Sequence, residues 1–226
     1  MKRSEVNCYL RQAMEFFQAQ QFRLPPFADW TPAEWQRRHQ EAAYLSARKL
    51  GWDVTDFGSG NFGQCGLLLF TLRNGCPGDP EKIFAEKIMI VRENQRTPFH
   101  FHFQKTEDII NRGGGTLVVE LYNSDSAGNF ISGQVNVRCD GLIRSVAGGG
   151  KILLAPGESI TLVPGVYHSF YAQGGDALIG EVSSVNDDTI DNRFHQALPR
   201  FSDIEEDEPP LRLLCSDYAR WEEPST

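Results

Sequence analysis

The sequence predicts an all-β core, a sandwich or small barrel, with helical decoration at its N-terminus. Three observations point there. From Trp52 to about Ser183, short runs rich in Val, Ile, Leu and Phe alternate with turn signals. Those signals are Asn74-Gly75, Gly113-Gly114-Gly115, Asp140-Gly141, Gly148-Gly149-Gly150, Pro156-Gly157, Pro164-Gly165 and Gly174-Gly175. Before residue 52 the apolar spacing is helical instead, with Val6, Leu10, Met14 and Phe17 three or four positions apart.

The first helix is expected to stop at Pro25-Pro26, since proline offers no N–H to the helical ladder. Thr31-Pro32-Ala33-Glu34 is a capping box with proline in the first turn, so a second helix starts there. It carries Trp35, Ala42 and Leu45 and closes at Leu50-Gly51, with glycine as the left-handed cap. His39, inside this helix, has no metal-like neighbour and reads as a surface or interface histidine. Strands are expected at 66–73, 83–91, 98–104, 107–111, 116–122, 134–138, 142–146, 151–154, 159–163, 166–172 and 177–184. The tail is polar and acidic through Glu205-Glu206-Asp207-Glu208, then Leu211, Leu213, Leu214 and Tyr218 return it to the body. The expected layout is one domain over 1–226: helices over 1–51, the β core over 52–184, and an extension over 185–226 that packs on it.

Length and composition narrow the function classes. A chain of 226 residues can bury one substantial core. A net charge of −8 without a basic stripe argues against nucleic-acid binding. The apolar run around Leu67–Phe70 is too short to span a bilayer, so no membrane partner is expected. No apolar leader follows Met1-Lys2-Arg3, and the five scattered cysteines form no Cys-x-x-Cys pair. A cytoplasmic protein with reduced thiols is the expectation.

The chemistry concentrates in two short motifs. Pro98-Phe99-His100-Phe101-His102 is followed by Glu107, and Pro164-Gly165-Val166-Tyr167-His168 lies beyond the glycine-rich stretch. On a strand, alternate side chains share a face, so His100 and His102 can bind one ion while Phe101 and Phe103 point away. Glu107 has the wrong parity for an unbroken strand, and a bend near 104–106 would bring it back. His168 follows a Pro-Gly reversal that brings it beside the pair from a neighbouring strand. Singly, each histidine reads equally well as a hydrogen-bonded core or surface residue. Together, His100, His102, Glu107 and His168 make a three-imidazole, one-carboxylate set for a divalent ion.

These motifs resemble the two signatures of the cupin superfamily, whose fold is a double-stranded β-helix or jelly-roll barrel. No asparagine follows His168 at the usual distance, a position that is not a ligand. The stretch from His100 to Gly115, Val119-Glu120-Leu121-Tyr122-Asn123 and Glu181-Val182-Ser183-Ser184-Val185-Asn186 are, more narrowly, similar to the D-lyxose ketol-isomerase family. Asp191-Asn192-Arg193-Phe194, the paired N-terminal helices and the acidic tail also fit, so the likeness covers nearly the whole chain. It implies a manganese-dependent, dimeric aldose–ketose isomerase that interconverts D-lyxose with D-xylulose and D-mannose with D-fructose. A cupin dioxygenase using Fe²⁺ and a non-catalytic sugar-binding cupin are the competing classes.

Moving hydrogen between C2 and C1 needs an electrophile for the oxygens and a base for the proton. The mixed ligand set suits Mn²⁺ and also admits other first-row divalent ions. Glu181 shares a strand face with Ala177 and Ile179 and is the first candidate base; an outward glutamate at a strand end is the alternative. Glu205, with Glu206, is a weaker candidate. Lys105 lies between two expected ligands and can donate to a sugar oxygen. Lys87 shares a strand face with Ala85 and Met89 and would contact the sugar if that face is inward, as the resemblance implies. Asp188, Asp191 and Arg193 are candidate rim contacts for hydroxyls, with turn chemistry as the rival explanation.

Overall fold

In the computed structural model of the protein, residues 1–185, 187 and 190–221 are described. Among the described residues the helices are α1 (Arg3–Ala19), α2 (Pro32–Arg37), α3 (His39–Ala47) and α4 (Tyr218–Trp221), with a 3-10 turn at Pro26–Asp29. The strands are β1 (Gly51–Thr55), β2 (Leu67–Arg73), β3 (Phe84–Val91), β4 (His100–His102), β5 (Glu107–Ser124) and β6 (Phe130–Ile131). They continue as β7 (Gln134–Cys139), β8 (Leu142–Ala147), β9 (Gly150–Leu154), β10 (Ser159–Leu162), β11 (Val166–Ser184) and β12 (Asn192–Phe194). The all-β, cupin-type core with helices before it is the fold class the sequence predicts. None of the described helices is long and apolar enough to cross a membrane.

Pairing between these strands is antiparallel, in the order β1-β2-β3-β11-β5-β10-β7-β8, with β9 and β6 also on β5, β4 on β11, and β12 on β4. The two long central strands pass from one layer to the other. Residues 107–114 of β5 pair with 177–183 of β11 and with β10, while 116–123 pair with 166–173 and β9. The expected turns at Gly113-Gly114-Gly115 and Gly174-Gly175 are therefore bends inside continuous strands. Gly114 has φ +84 and a Cβ there would meet the Asp176 carbonyl, so glycine lets the paired backbones bend together.

The core has an inner and an outer part. Leu67, Leu69, Met89, Val91, Ile109 and Ile179 point into the barrel. The alternate residues Leu68, Phe70, Ile88 and Ile90 pack outward against Val6, Leu10, Ala13 and Phe17 of α1. Burial on both faces explains why β2 is a continuous apolar run.

Three local expectations are corrected. The second helix is broken at Arg38 (φ −105, ψ 27) into α2 and α3. The left-handed residue after α3 is Lys49 (φ 52), while Gly51 opens β1 against the Tyr218 ring. Helix α1 stops at Ala19, before the prolines, which instead start the 3-10 turn. The tail does return: Arg3 binds Asp217 at 2.8 Å and Glu206 at 2.7 Å, and Leu213, Leu214 and Tyr218 are buried.

Candidate active site

Strand β4 is three residues long and places its histidines by alternation. Phe101 turns away and packs edge-on against Tyr167, with centroids 4.8 Å apart, while His100 and His102 face the barrel. His168 of β11 lies directly opposite His100 in register. Candidate ligand nitrogens of the three histidines fall within 4.8 Å of one another, an arrangement compatible with a divalent ion.

The backbone fixes two of these rings. His100 Nδ1 lies 2.9 Å from the Pro98 carbonyl and His168 Nδ1 lies 3.1 Å from the Val166 carbonyl. Each ring donates from Nδ1, which leaves the Nε2 lone pair aimed into the cavity. His168 Nε2 and both nitrogens of His102 are buried without a hydrogen bond among the described residues.

Glu107 enters at the start of β5, after the chain bends through 103–106. Its Oε1 sits 3.2 Å from His168 Nε2 and 3.4 Å from His102 Nε2. Lone pairs facing each other at that range in a buried site repel unless a cation lies between them. Protons supply it poorly here. Burial, then the neighbouring imidazoles, holds His100 well below its ordinary range, and burial with the Lys105 charge lowers His102 as well. Burial pushes Glu107 up, but Lys105 and the surrounding histidines outweigh it, so the carboxyl stays well below the usual carboxylate range. The donor set fits a divalent ion.

Beside the histidines lies a chain of alternating charges. Lys105 Nζ lies 2.7 Å from Glu107 Oε2 and donates to Glu181 Oε1 at 3.0 Å. Lys87 Nζ approaches the same Glu181 oxygen at 3.4 Å, and the Ser183 hydroxyl donates to it at 3.2 Å. Lys87 and Glu181 are directly opposite on β3 and β11, and all four charged groups are buried. Lys87 and Glu181 both line the cavity.

The remaining candidates fall elsewhere. Asp191 accepts the Gln104 and Lys105 amides at 2.8 and 3.0 Å, which makes it the clamp of the bend that carries Lys105. Arg193 is corrected: it pairs with Phe101 across β4–β12, so its guanidinium faces away and binds the Ala127 carbonyl. Glu205 is corrected too: it is exposed, bonded through its backbone to Met1 and Arg3, and absent from the cavity wall. Asp188 lies outside the described residues. Asn192 and Phe194, with Phe57 and Arg200, line the cavity and were not anticipated. Strand β12 is too short to show periodicity, and its Asp/Asn surroundings read as a turn.

A family model for D-lyxose isomerase matches residues 1–218. The chain is 53% identical to the D-lyxose/D-mannose isomerase of Serratia proteamaculans, covering 98% of this chain and 99% of that protein. It is 51% identical to the D-lyxose/D-mannose isomerase of Escherichia coli O157:H7, covering 98% and 100%. The solved structure of Cellulomonas parahominis L-ribose isomerase with L-ribose shares the fold, with a TM-score of 0.61 at 15% identity over 91% of this chain and 98% of that one. The chain belongs to the D-lyxose isomerase family and is an isomerase.

Proposed function

We propose that the protein interconverts D-lyxose with D-xylulose and D-mannose with D-fructose, at a manganese ion held by His100, His102, Glu107 and His168. The observation that carries this reading is the convergence of buried imidazole and carboxylate lone pairs beside a Lys105–Glu181 pair. When bound, the ion supplies Lewis acidity to the sugar's vicinal O1 and O2. Glu181 accepts the proton from C2 and returns it at C1. Lys105 hydrogen-bonds from Nζ to O1, where negative charge develops as that proton leaves, gives O1 a proton and recovers one from the O2 hydroxyl, so that the carbonyl moves from C1 to C2. Lys87 holds the Glu181 carboxylate from the other side and offers a hydrogen bond to a sugar hydroxyl. Asp191 supports Lys105 through the backbone instead of touching sugar. Names of the curated relatives support the sugar class, the free cysteines support a cytoplasmic location, and the family likeness supports a homodimer, which light scattering tests.

The deciding assay strips the protein, reloads it with Mn²⁺ and measures ketose formed from D-lyxose and D-mannose. Ketose from both, dependent on metal, is the expected result. Oxygen uptake without ketose would place the protein among dioxygenases, and retained metal without turnover would make it a binding module.

A further inference from the structure

Asn192 carries its side-chain amide at the wall of the cavity. It lies opposite His102 in the β4–β12 ladder, which sets their Cβ atoms about 5 Å apart on the cavity face. Its Oδ1 is buried and has no hydrogen-bond partner among the described residues. Beside it Phe194 packs with centroids 5.6 Å from His100 and 5.7 Å from Phe57 and offers it no donor. A buried polar group without a partner costs about 1–3 kcal/mol, and native proteins retain few of them without a use.

Both neighbours of Asn192 are pinned for other reasons. Asp191 holds the Gln104 and Lys105 amides, and Arg193 binds the Ala127 carbonyl on the outer face. The backbone ladder with β4, and neither neighbour's side chain, holds the amide between them at the cavity wall. That is how a pre-organised recognition group is built.

We propose that Asn192 hydrogen-bonds a sugar hydroxyl beyond the O1–O2 pair, on C3 or C4, and selects aldoses that carry it. The proposal rests on the sugar-isomerase reading of the cavity. An amide offers both an acceptor and a donor, so it can take a hydroxyl from either side. A site that pairs a substrate hydroxyl rejects the analogue lacking it, because the protein group is then left buried and unpaired.

The test compares wild type, Asn192→Leu and Asn192→Ser with D-lyxose and its 3-deoxy and 4-deoxy analogues. Wild type is expected to lose about ten-fold in kcat/KM on one analogue. Asn192→Leu is expected to lose about as much on D-lyxose itself, in KM and not in kcat, and to treat sugar and analogue alike. Asn192→Ser, which keeps an oxygen, recovers part of the loss. A calorimetric titration of the metal-loaded proteins with xylitol should show weaker binding by Asn192→Leu with unchanged metal content. An Asn192→Leu protein that still discriminates between the sugars as wild type does, or that loses its metal, overturns the assignment. Absence of ketose from wild type would instead strike the isomerase reading, and the xylitol titration then decides Asn192 alone: equal affinities overturn it.

Discussion

The ammonium of Lys105 lies 2.7 Å from Oε2 of Glu107, the oxygen complementary to the one that faces His102 and His168. One carboxylate thereby joins the histidine cluster to the Lys105–Glu181 pair. Lys105→Ala removes the donor without touching Oε1, so metal content should be retained while turnover falls by about two to three orders of magnitude. Elemental analysis and initial rates measure both on one sample. Loss of metal would refute the separate roles. The variant should also be less stable without metal, by about 3–5 kcal/mol, because buried Glu107 loses its lysine while Glu181 keeps only Lys87.

Metal should stabilise the fold as well as serve the reaction. A ligand at a hundred-fold excess over its dissociation constant adds about 2.7 kcal/mol to the native state. Wild type is expected to melt higher once reloaded with Mn²⁺. His102→Ala, Glu107→Ala and His168→Ala should gain nothing, retain no ion and form no ketose. A variant that melts higher with Mn²⁺ would remove its residue from the ligand set.

The pH dependence of the metal-free protein follows from the histidines. His100 and His102 sit below the ordinary value of 6.5 in the folded state, so the unfolded chain binds protons first as the medium is acidified. Their contribution is complete above about pH 6.5 and declines as pH falls below it, by at most about 1.4 kcal/mol per pH unit for each ring. Glu107 has its ordinary value of 4.5 lowered, so its contribution is intact down to that point and is lost only in stronger acid. Urea melts of chelator-treated protein at pH 8, 6 and 5 should show a stability loss from pH 6 to 5. A flat profile would show that these rings protonate as easily folded as unfolded.

Much of this site was legible because its residues sit where period-two logic applies. His100 and His102 share a face on any extended strand, and Glu181 shares one with Ala177 and Ile179, whatever the rest of the chain does. The fold class was legible for the same reason. What failed was local competition between turn chemistry and pairing. Gly113-Gly114-Gly115 reads as a turn by itself, yet its partner strand bends at Gly174-Gly175 and keeps the ladder running. Asp191-Asn192-Arg193-Phe194 reads as a polar turn, and only the pairing with β4 shows that Asn192 and Phe194 face inward while Arg193 does not. Strand β1 was hidden by Asp53, a buried carboxylate whose partner is Arg200, 147 residues away.

Arg193 and Glu205 therefore serve as controls. Arg193→Ala releases the 125–129 loop and Glu205→Ala alters an exposed side chain, and neither touches the cavity. Both variants should keep KM and kcat within about two-fold of wild type, since surface substitutions shift stability by only about 0.5 kcal/mol. A raised KM for Arg193→Ala would restore it as a sugar contact.

Asp191 separates positioning from recognition. Its two oxygens accept the amides of Gln104 and Lys105, and its own carbonyl accepts the Phe103 amide at 3.0 Å, so the whole bend hangs on one residue. Hydrogen bonds to a charged group contribute about 1.5–3 kcal/mol each, so Asp191→Ala should lower stability by about 3 kcal/mol or more. Asp191→Asn keeps one accepting oxygen and should lose about half as much. With the bend loosened, Lys105 is no longer held between Glu107 and Glu181, and the loss falls on kcat while KM for D-lyxose stays near wild type. A residue that touched sugar would behave the other way, raising KM with the thermal midpoint unchanged, and that outcome would return Asp191 to the hydroxyl-binding rim.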